Sequence, residues 1–198
     1  MKEYKLPIGC DVPETIILAD GDFPSHPLAL EWLRQCPYVV CCDGAANTYI
    51  RSGRMPEAIV GDGDSLLPDI KERYASLIHS EAEQETNDLS KAFRFCLSQE
   101  RKRITIMGAT GKREDHTIGN VSLLADYMEQ AEVSMMTDYG IFVPIREDSM
   151  FESYIGQQIS VFNMNSTALS AEGLAYPLSV FTNWWQGTLN EALARHFI

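Results

Sequence analysis

Positive charge is scarce in this sequence. Sixteen Lys and Arg stand against 28 Asp and Glu among 198 residues, a formal net charge of −12. A chain that neutralises the phosphates of a nucleic acid carries the opposite balance, so no nucleic-acid partner is expected. Long apolar runs are missing too. None reaches the ~18 residues that a membrane span needs, and residues 1–13 carry no apolar signal core. Cysteine is sparse and odd in number: five, at Cys10, Cys36, Cys41, Cys42 and Cys96, without a Cys-x-x-Cys spacing. That argues against a disulfide framework, and Cys41 and Cys42 sit inside an apolar run where cysteine acts as a small hydrophobe. A reducing compartment, the cytoplasm, is the expectation.

The usual nucleotide motifs are also absent. Gly108-Ala109-Thr110-Gly111-Lys112-Arg113 is too short for a P-loop, and no Ser or Thr follows Lys112. Gly61-Asp62-Gly63 lacks the third glycine of a dinucleotide loop, because Leu66 takes its place. Phosphate can still bind at residues 108–113, where backbone amides at a helix start combine with two cations.

Apolar residues at 45% and charged ones at 22% describe an ordinary globular chain, long enough for one large domain or a medium one with a small companion. Short, wholly apolar runs recur: Thr15-Ile16-Ile17-Leu18-Ala19, Tyr38-Val39-Val40-Cys41-Cys42, Ala58-Ile59-Val60, Ile104-Thr105-Ile106-Met107 and Val133-Ser134-Met135-Met136. Helical patterns alternate with them, at residues 27–33, 45–52 and 68–77. Leu89, Ala92, Phe93, Cys96 and Leu97 define one helix face, with Asn87 as N-cap, and Ile118, Val121, Leu124, Ala125 and Met128 define another. The pattern predicts an α/β fold: an open, mostly parallel sheet with helices on both faces. After Tyr139 the character changes. Short extended runs at residues 141–145, 150–155, 158–162 and 168–171, separated by Gly, Asn and Pro, predict a small antiparallel β domain. The expected domains are 1–138 and 139–198.

Four of the strands end in related chemistry: Asp20-Gly21-Asp22, Asp43-Gly44, Gly61-Asp62-Gly63-Asp64 and Gly108-Ala109-Thr110-Gly111. Ligands of open α/β sheets bind outside the carboxyl ends of the strands, so these residues are expected to share one site. Asp62 and Asp64 are two apart, and on extended backbone they would face one spot. Two like charges held together call for a cation, a shared proton or a structural partner, and a hard cation with phosphate beyond it is the simplest answer. A plain Asp-Gly turn is the bland alternative.

Taken in order, Asp43-Gly44-Ala45-Ala46-Asn47, Gly61-Asp62-Gly63-Asp64-Ser65, Gln84-Glu85-Thr86-Asn87-Asp88-Leu89-Ser90-Lys91-Ala92 and the run from Gly108 through Asp115, His116 and Asn120 resemble the thiamine pyrophosphokinases, over roughly residues 15 to 137. The resemblance implies transfer of diphosphate from ATP to thiamine, giving thiamine diphosphate and AMP. It also implies Mg²⁺, an N-terminal α/β domain, a C-terminal β domain that binds thiamine and dimerises, and a homodimer with shared active sites. Asp43, Asp62, Asp64 and Asp88 become the metal-binding and catalytic carboxylates. Asp22, Ser65, Asn87, Lys91, Gly108, Thr110, Gly111, Lys112, Arg113, Asp115 and His116 become the ATP side, although His116 can equally be a packing residue at a helix start. Gln84, Trp184, Trp185 and Asn190 become the thiamine side, with ordinary packing as the plainer role for the tryptophans. The chain departs from the family pattern at Glu83 and Glu85, at Asp20 in place of Asn, and at Leu189 in place of Ser. An aspartyl-nucleophile phosphatase and a non-catalytic nucleotide or thiamine binder remain the other classes.

Overall fold

The computed structural model describes residues 1–9, 11–81, 83, 85–164, 166–178 and 187–198. In chain order the elements are β1 (Lys2–Tyr4), β2 (Ile16–Leu18), α1 (Pro27–Gln35), β3 (Val39–Cys42), α2 (Ala45–Arg51), β4 (Ala58–Gly61), α3 (Pro68–Arg73), a 3₁₀ turn (Ala75–Leu77), β5 (Ile78–Ser80), α4 (Asp88–Ser98), β6 (Arg103–Met107), α5 (Glu114–Tyr127), β7 (Glu132–Met136), β8 (Ile141–Phe142), β9 (Ser149–Glu152), β10 (Gln158–Val161), β11 (Gly187–Glu191) and β12 (His196–Phe197). Packing divides the chain into two units, one of residues 9–144 and one of residues 1–8 with 145–198.

The larger unit is built on a sheet in the order β5-β4-β3-β2-β6-β7-β8, parallel except for β8. The apolar runs of the sequence become its central strands. Because successive side chains alternate, Ile16, Leu18, Val39, Cys41 and Ile59 pack on one face with α1, α2 and α3. Ile17, Val40, Cys42, Val60, Ile106 and Met135 pack on the other with α4 and α5. This is the expected α/β architecture, and Met135 and Met136 are core residues, as expected. Phe93 of α4 is fully buried and stacks on Tyr127 of α5 with ring centroids 3.9 Å apart. Truncating such a ring to alanine typically costs about 3–5 kcal/mol. Asn87 caps α4 as the sequence suggests, its side chain accepting the Ser90 N–H at 2.9 Å.

Several expectations are corrected. The helix drawn over 68–77 stops at Arg73, and Ile78–Ser80 pairs in parallel with β4 as an edge strand. In α5 the buried residues are Asn120, Leu124 and Tyr127, whereas Ile118 is 60% exposed and Ala125 is exposed as well. Residues 141–142 pair with β7, not with the later strands, because the Thr137–Gly140 turn folds them back. That pairing extends the first sheet past the 138/139 boundary expected from sequence. Residues 168–171 form no strand.

The smaller unit holds two sheets, β1-β9-β12 and β10-β11. The β9–β12 and β10–β11 pairs are antiparallel, as expected of the C-terminal β domain. The N-terminal strand β1 adds a parallel pairing to β9 that nothing in the sequence announces. Tyr4, Phe151 and Phe197 stack across this sheet at 4.8 and 5.0 Å. Among the described residues, no helix is long and apolar enough to cross a membrane.

Candidate active site

The strand order of the large sheet reverses between β2 and β6, and the loops leaving β2, β3, β4 and β6 gather there. Such a switch point is where open α/β sheets bind ligands. Asp43 leaves β3 with φ +31, a left-handed conformation that a non-glycine residue holds only when its surroundings impose it. Its N–H bonds the Val60 carbonyl at 2.9 Å, and its Oδ2 accepts the Ser65 N–H at 3.0 Å. The other oxygen, Oδ1, is buried without a hydrogen-bond partner among the described residues.

The loop after β4 carries the other carboxylates. Asp62 Oδ1 accepts the Asp64 N–H at 3.1 Å, and Ser65 Oγ donates to Asp64 Oδ1 at 3.0 Å. Asp62 and Asp64 therefore converge through a turn beyond the strand end, not through extended backbone. Asn47, one turn into α2, fixes this loop by donating to the Ser65 carbonyl at 2.8 Å and accepting the Leu67 N–H at 3.0 Å. Lys71 of α3 adds a bond to the Gly63 carbonyl at 2.7 Å. One oxygen each from Asp43, Asp62 and Asp64 lies within 4.8 Å of the others. Asp88, first residue of α4, approaches the same place. A methyl group at Gly61 would come 2.8 Å from Asp43 Cβ and 3.4 Å from Asp88 Cγ, so only glycine fits between them.

Burial raises the Asp43 pKa to about 6, helped by the neighbouring carboxylates of Asp64 and Asp88, against the Ser65 N–H that lowers it. Three convergent carboxylates with one orphaned buried oxygen suit a hard divalent cation, which takes oxygen ligands.

The expected phosphate loop follows β6. Gly108 and Gly111 have φ +64 and +78, and Lys112 shares the left-handed conformation at +58. The loop is tied to the loop after β2: Gly21 N–H bonds the Gly108 carbonyl at 2.6 Å and Asp22 N–H the Thr110 carbonyl at 2.8 Å. The Asp22 side chain packs on Gly111 closely enough to exclude a Cβ there. A cleft of about 140 Å³ opens here, lined by Asp20, Gly21, Asp22, Phe23, Thr48 and Lys112 among others. Its lysine is engaged: Lys112 Nζ donates to the Asp20 carbonyl at 2.8 Å and to Asp20 Oδ1 at 3.1 Å. Arg113 pairs with Asp115 at 2.5 Å, both exposed, and the pairing holds the Asp115 carboxyl down to about 2. His116 is exposed on the first turn of α5, its N–H bonded to Asp115 Oδ1 at 3.0 Å.

Asn87 donates to Asn120 Oδ1 at 3.0 Å, and Asn120 donates to the Ala109 carbonyl at 2.8 Å, so two side chains tie the N-cap of α4 and the middle of α5 to the phosphate loop. Lys91 is buried beside Asp88. In the smaller unit, the buried Asn190 accepts the Tyr176 and Glu191 N–H groups at 3.0 Å and donates to the Tyr176 carbonyl at 2.8 Å. Its amide shapes the wall of a second cleft, of about 340 Å³, lined by Tyr176, Pro177, Leu178, Thr188 and Leu189. Gln84, Trp184 and Trp185 lie outside the described residues. Sequence reasoning placed Asp20 at the shared strand-end site without a role, and left Asn47, Lys71 and Asn120 out. Asn47 and Asn120 end the motifs that carried the resemblance, which was their signal, whereas Lys71 had none.

Fold and site together define a doubly wound α/β protein with an acidic, cation-competent centre facing a glycine-rich loop. The comparisons narrow this class. The model of the thiamin pyrophosphokinase catalytic domain matches residues 29–136, and that of the thiamin pyrophosphokinase substrate-binding domain matches residues 140–198. The chain belongs to the thiamin pyrophosphokinase family. Thiamine pyrophosphokinase 1 of Oryza sativa subsp. japonica is 30% identical over 129 residues, covering 52% of this chain and 49% of that protein. Thiamin pyrophosphokinase 1 of Caenorhabditis elegans is 30% identical over 110 residues, 51% of this chain and 45% of its own length. The chain thus spans about half the length of these curated relatives. Yeast thiamin pyrophosphokinase superposes with a TM-score of 0.77 at 18% identity over 100% of this chain and 87% of that one. The Bacillus subtilis enzyme follows at 0.71 and 21%, over 93% and 92%. At those identities the superpositions speak for the fold.

Proposed function

We propose that the protein is a Mg²⁺-dependent thiamine diphosphokinase that transfers diphosphate from ATP to the hydroxyl of thiamine, giving thiamine diphosphate and AMP. The observation that carries this is the convergence of Asp43, Asp62 and Asp64, one buried oxygen unpartnered, at the switch point of a chain that belongs to this family.

In the reaction the thiamine oxygen bonds the β-phosphorus as the bond from that phosphorus to the α,β-bridging oxygen breaks. AMP leaves with that electron pair, and the hydroxyl proton passes to a carboxylate of the cluster. Such transfers rest on positioning and on neutralising charge. Bound Mg²⁺, held by Asp62 and Asp64 with Asp43 and Asp88 close by, would supply neutralisation at the phosphate oxygens. The chain's own part is to hold the carboxylates convergent through Ser65, Asn47 and Lys71, and to offer the loop 108–113 to the nucleotide.

The smaller unit supports thiamine binding through its cleft and its substrate-binding-domain match. It also supports a homodimer with shared active sites, since its large apolar residues are left uncovered, Ile155 at 74% and Leu189 at 86%. We place the protein in the cytoplasm, as expected from its cysteine usage.

Incubation with ATP, thiamine and Mg²⁺ is expected to yield AMP and thiamine diphosphate in equal amounts. Asp62→Asn and Asp64→Asn should each lower turnover at least about a hundredfold without unfolding the protein. ADP or free phosphate as the product, or unchanged ATP, would replace this reading with the phosphatase or the non-catalytic binder.

A further inference from the structure

Lys91 carries a charge in an unusual place. Its side chain is 3% exposed, on the first turn of α4, three residues after Asp88 and on the same side of the helix. Its Nζ lies 3.0 Å from Asp88 Oδ1. An ammonium so enclosed is not presented to a phosphate arriving from solvent. A buried ion needs a partner, and Asp88 is that partner.

What Lys91 holds matters more than what it reaches. Asp88 is 34% exposed and abuts Gly61, and Asp43 abuts the same glycine. The Lys91–Asp88 bond therefore fixes a fourth carboxylate at the rim of the Asp43–Asp62–Asp64 cluster. Two other lysines near the cluster are engaged elsewhere, Lys71 on the Gly63 carbonyl and Lys112 on Asp20. The charge of Lys91 is also felt by Glu83 and Asp62.

We infer that Lys91 is a positioning residue, the resident counter-charge that holds Asp88 against Gly61 and offsets the acidic cluster before any cation binds, and not a ligand of the substrate's phosphates. Its bearing on catalysis rests on the diphosphokinase reading; the counter-charge role does not, and it is testable in substrate-free protein.

Lys91→Met, which nearly keeps the length of the side chain, is compared with Asp88→Asn and the double variant in full-length protein freed of divalent metal. Lys91→Met should lower the thermal midpoint by about 5 °C or more, since 1 kcal/mol corresponds to ~2–4 °C at this size. In the Asp88→Asn background it should lower it less than half as much; an equal loss in both backgrounds overturns the inference. Should Lys91→Met fail to fold, Lys91→Arg keeps the charge and must still show coupling to Asp88. Next, Mn²⁺ is titrated without nucleotide and followed by electron paramagnetic resonance. Lys91→Met should bind it severalfold more tightly than the wild type, because one positive charge has gone; unchanged or weaker binding overturns the counter-charge. Kinetically, kcat should fall while the KM for ATP stays within about twofold. A tenfold rise in that KM with unaltered metal-free stability would make Lys91 a phosphate ligand. Failure of the wild type to bind Mn²⁺ or to form AMP would count against the proposed function, and the stability cycle would still decide the role of Lys91.

Discussion

Asp43 is a carboxylate in a place that disfavours its charge. Burial, with Asp64 and Asp88 nearby, raises its pKa to about 6, whereas in the unfolded chain it titrates near ~3.9. Between those pH values the folded protein keeps a proton that the unfolded chain has released. This group's contribution to stability is therefore fully present below about pH 4, falls as the pH rises toward 6, and stays low above it. Asp43→Asn removes that pH dependence and keeps an oxygen for the Ser65 N–H. Without metal it should raise stability at pH 7.5 by on the order of 2–3 kcal/mol and change little at pH 4, while turnover is lost. Denaturant melts at the two pH values, in chelator, measure the difference. An equal effect at both would mean that the carboxylate is not held protonated. The Asp62/Asp64 pair was legible in the sequence because strand, glycine and carboxylates are contiguous. The unpartnered oxygen of Asp43 was not, because burial of one atom depends on Gly61 and Ser65, at the end of β4 and in the loop after it, and on Asp88 at the start of α4, two segments that the fold brings to it.

At the scale of elements, the site depends on how tightly strand ends and helix starts approach one another. Gly61 ends β4 with Asp43 and Asp88 both close to where a side chain would sit, and a Cβ there would meet Asp43 Cβ at 2.8 Å and Asp88 Cγ at 3.4 Å. Gly61→Ala is expected to leave the sheet intact, since Ala58, Ile59 and Val60 keep their buried positions. It should spread the carboxylates, lower turnover and Mn²⁺ affinity about tenfold or more, and lower the thermal midpoint by only a few degrees. Normal Mn²⁺ binding in that variant would show that the close packing is incidental. The central strands and α4 were readable because burial on both faces leaves an unbroken apolar run, and an amphipathic helix with an Asn cap leaves a period. The face of α5 was misread because it buries Asn120, which joins Asn87 to the Ala109 carbonyl, and an apolar count passes over such a residue. The edge strand β5 is three residues, Ile78-His79-Ser80, whose conformation is set by its neighbour β4 and not by its own composition.

For the molecule as a whole, the two units differ in what holds them. The larger has two apolar layers around its sheet. In the smaller, Ala192 is the only buried apolar side chain among the described residues, and Tyr154, Ile155, Met164, Tyr176, Leu189 and Leu193 are exposed. A unit of roughly 60 residues is marginal even with a good core, so this one needs cover. A second copy is the cover proposed here, with the thiamine side of each active site completed by its partner. The sequence suggested this through Trp184 and Trp185, but it could not show that residues 2–4 would join β9, because three residues without periodicity carry no record of a distant partner. Light scattering should give twice the mass of one chain, and Ile155→Asp with Leu189→Asp should shift it toward one. The stricter test mixes two chains that are inactive alone, one carrying Asp64→Asn and the other lacking both indoles through Trp184→Ala and Trp185→Ala. If the carboxylates and the indoles act across the interface, a mixed dimer contains one site damaged twice and one intact. With random pairing, half of the dimers are mixed, each with one working site of two, so activity should return to about a quarter of the wild-type value. Recovery should follow the rate of subunit exchange, read by fluorescence transfer between labelled chains. Complete exchange without recovery would assign carboxylates and indoles to the same chain, or the indoles to a packing role, and the shared site would have to be abandoned.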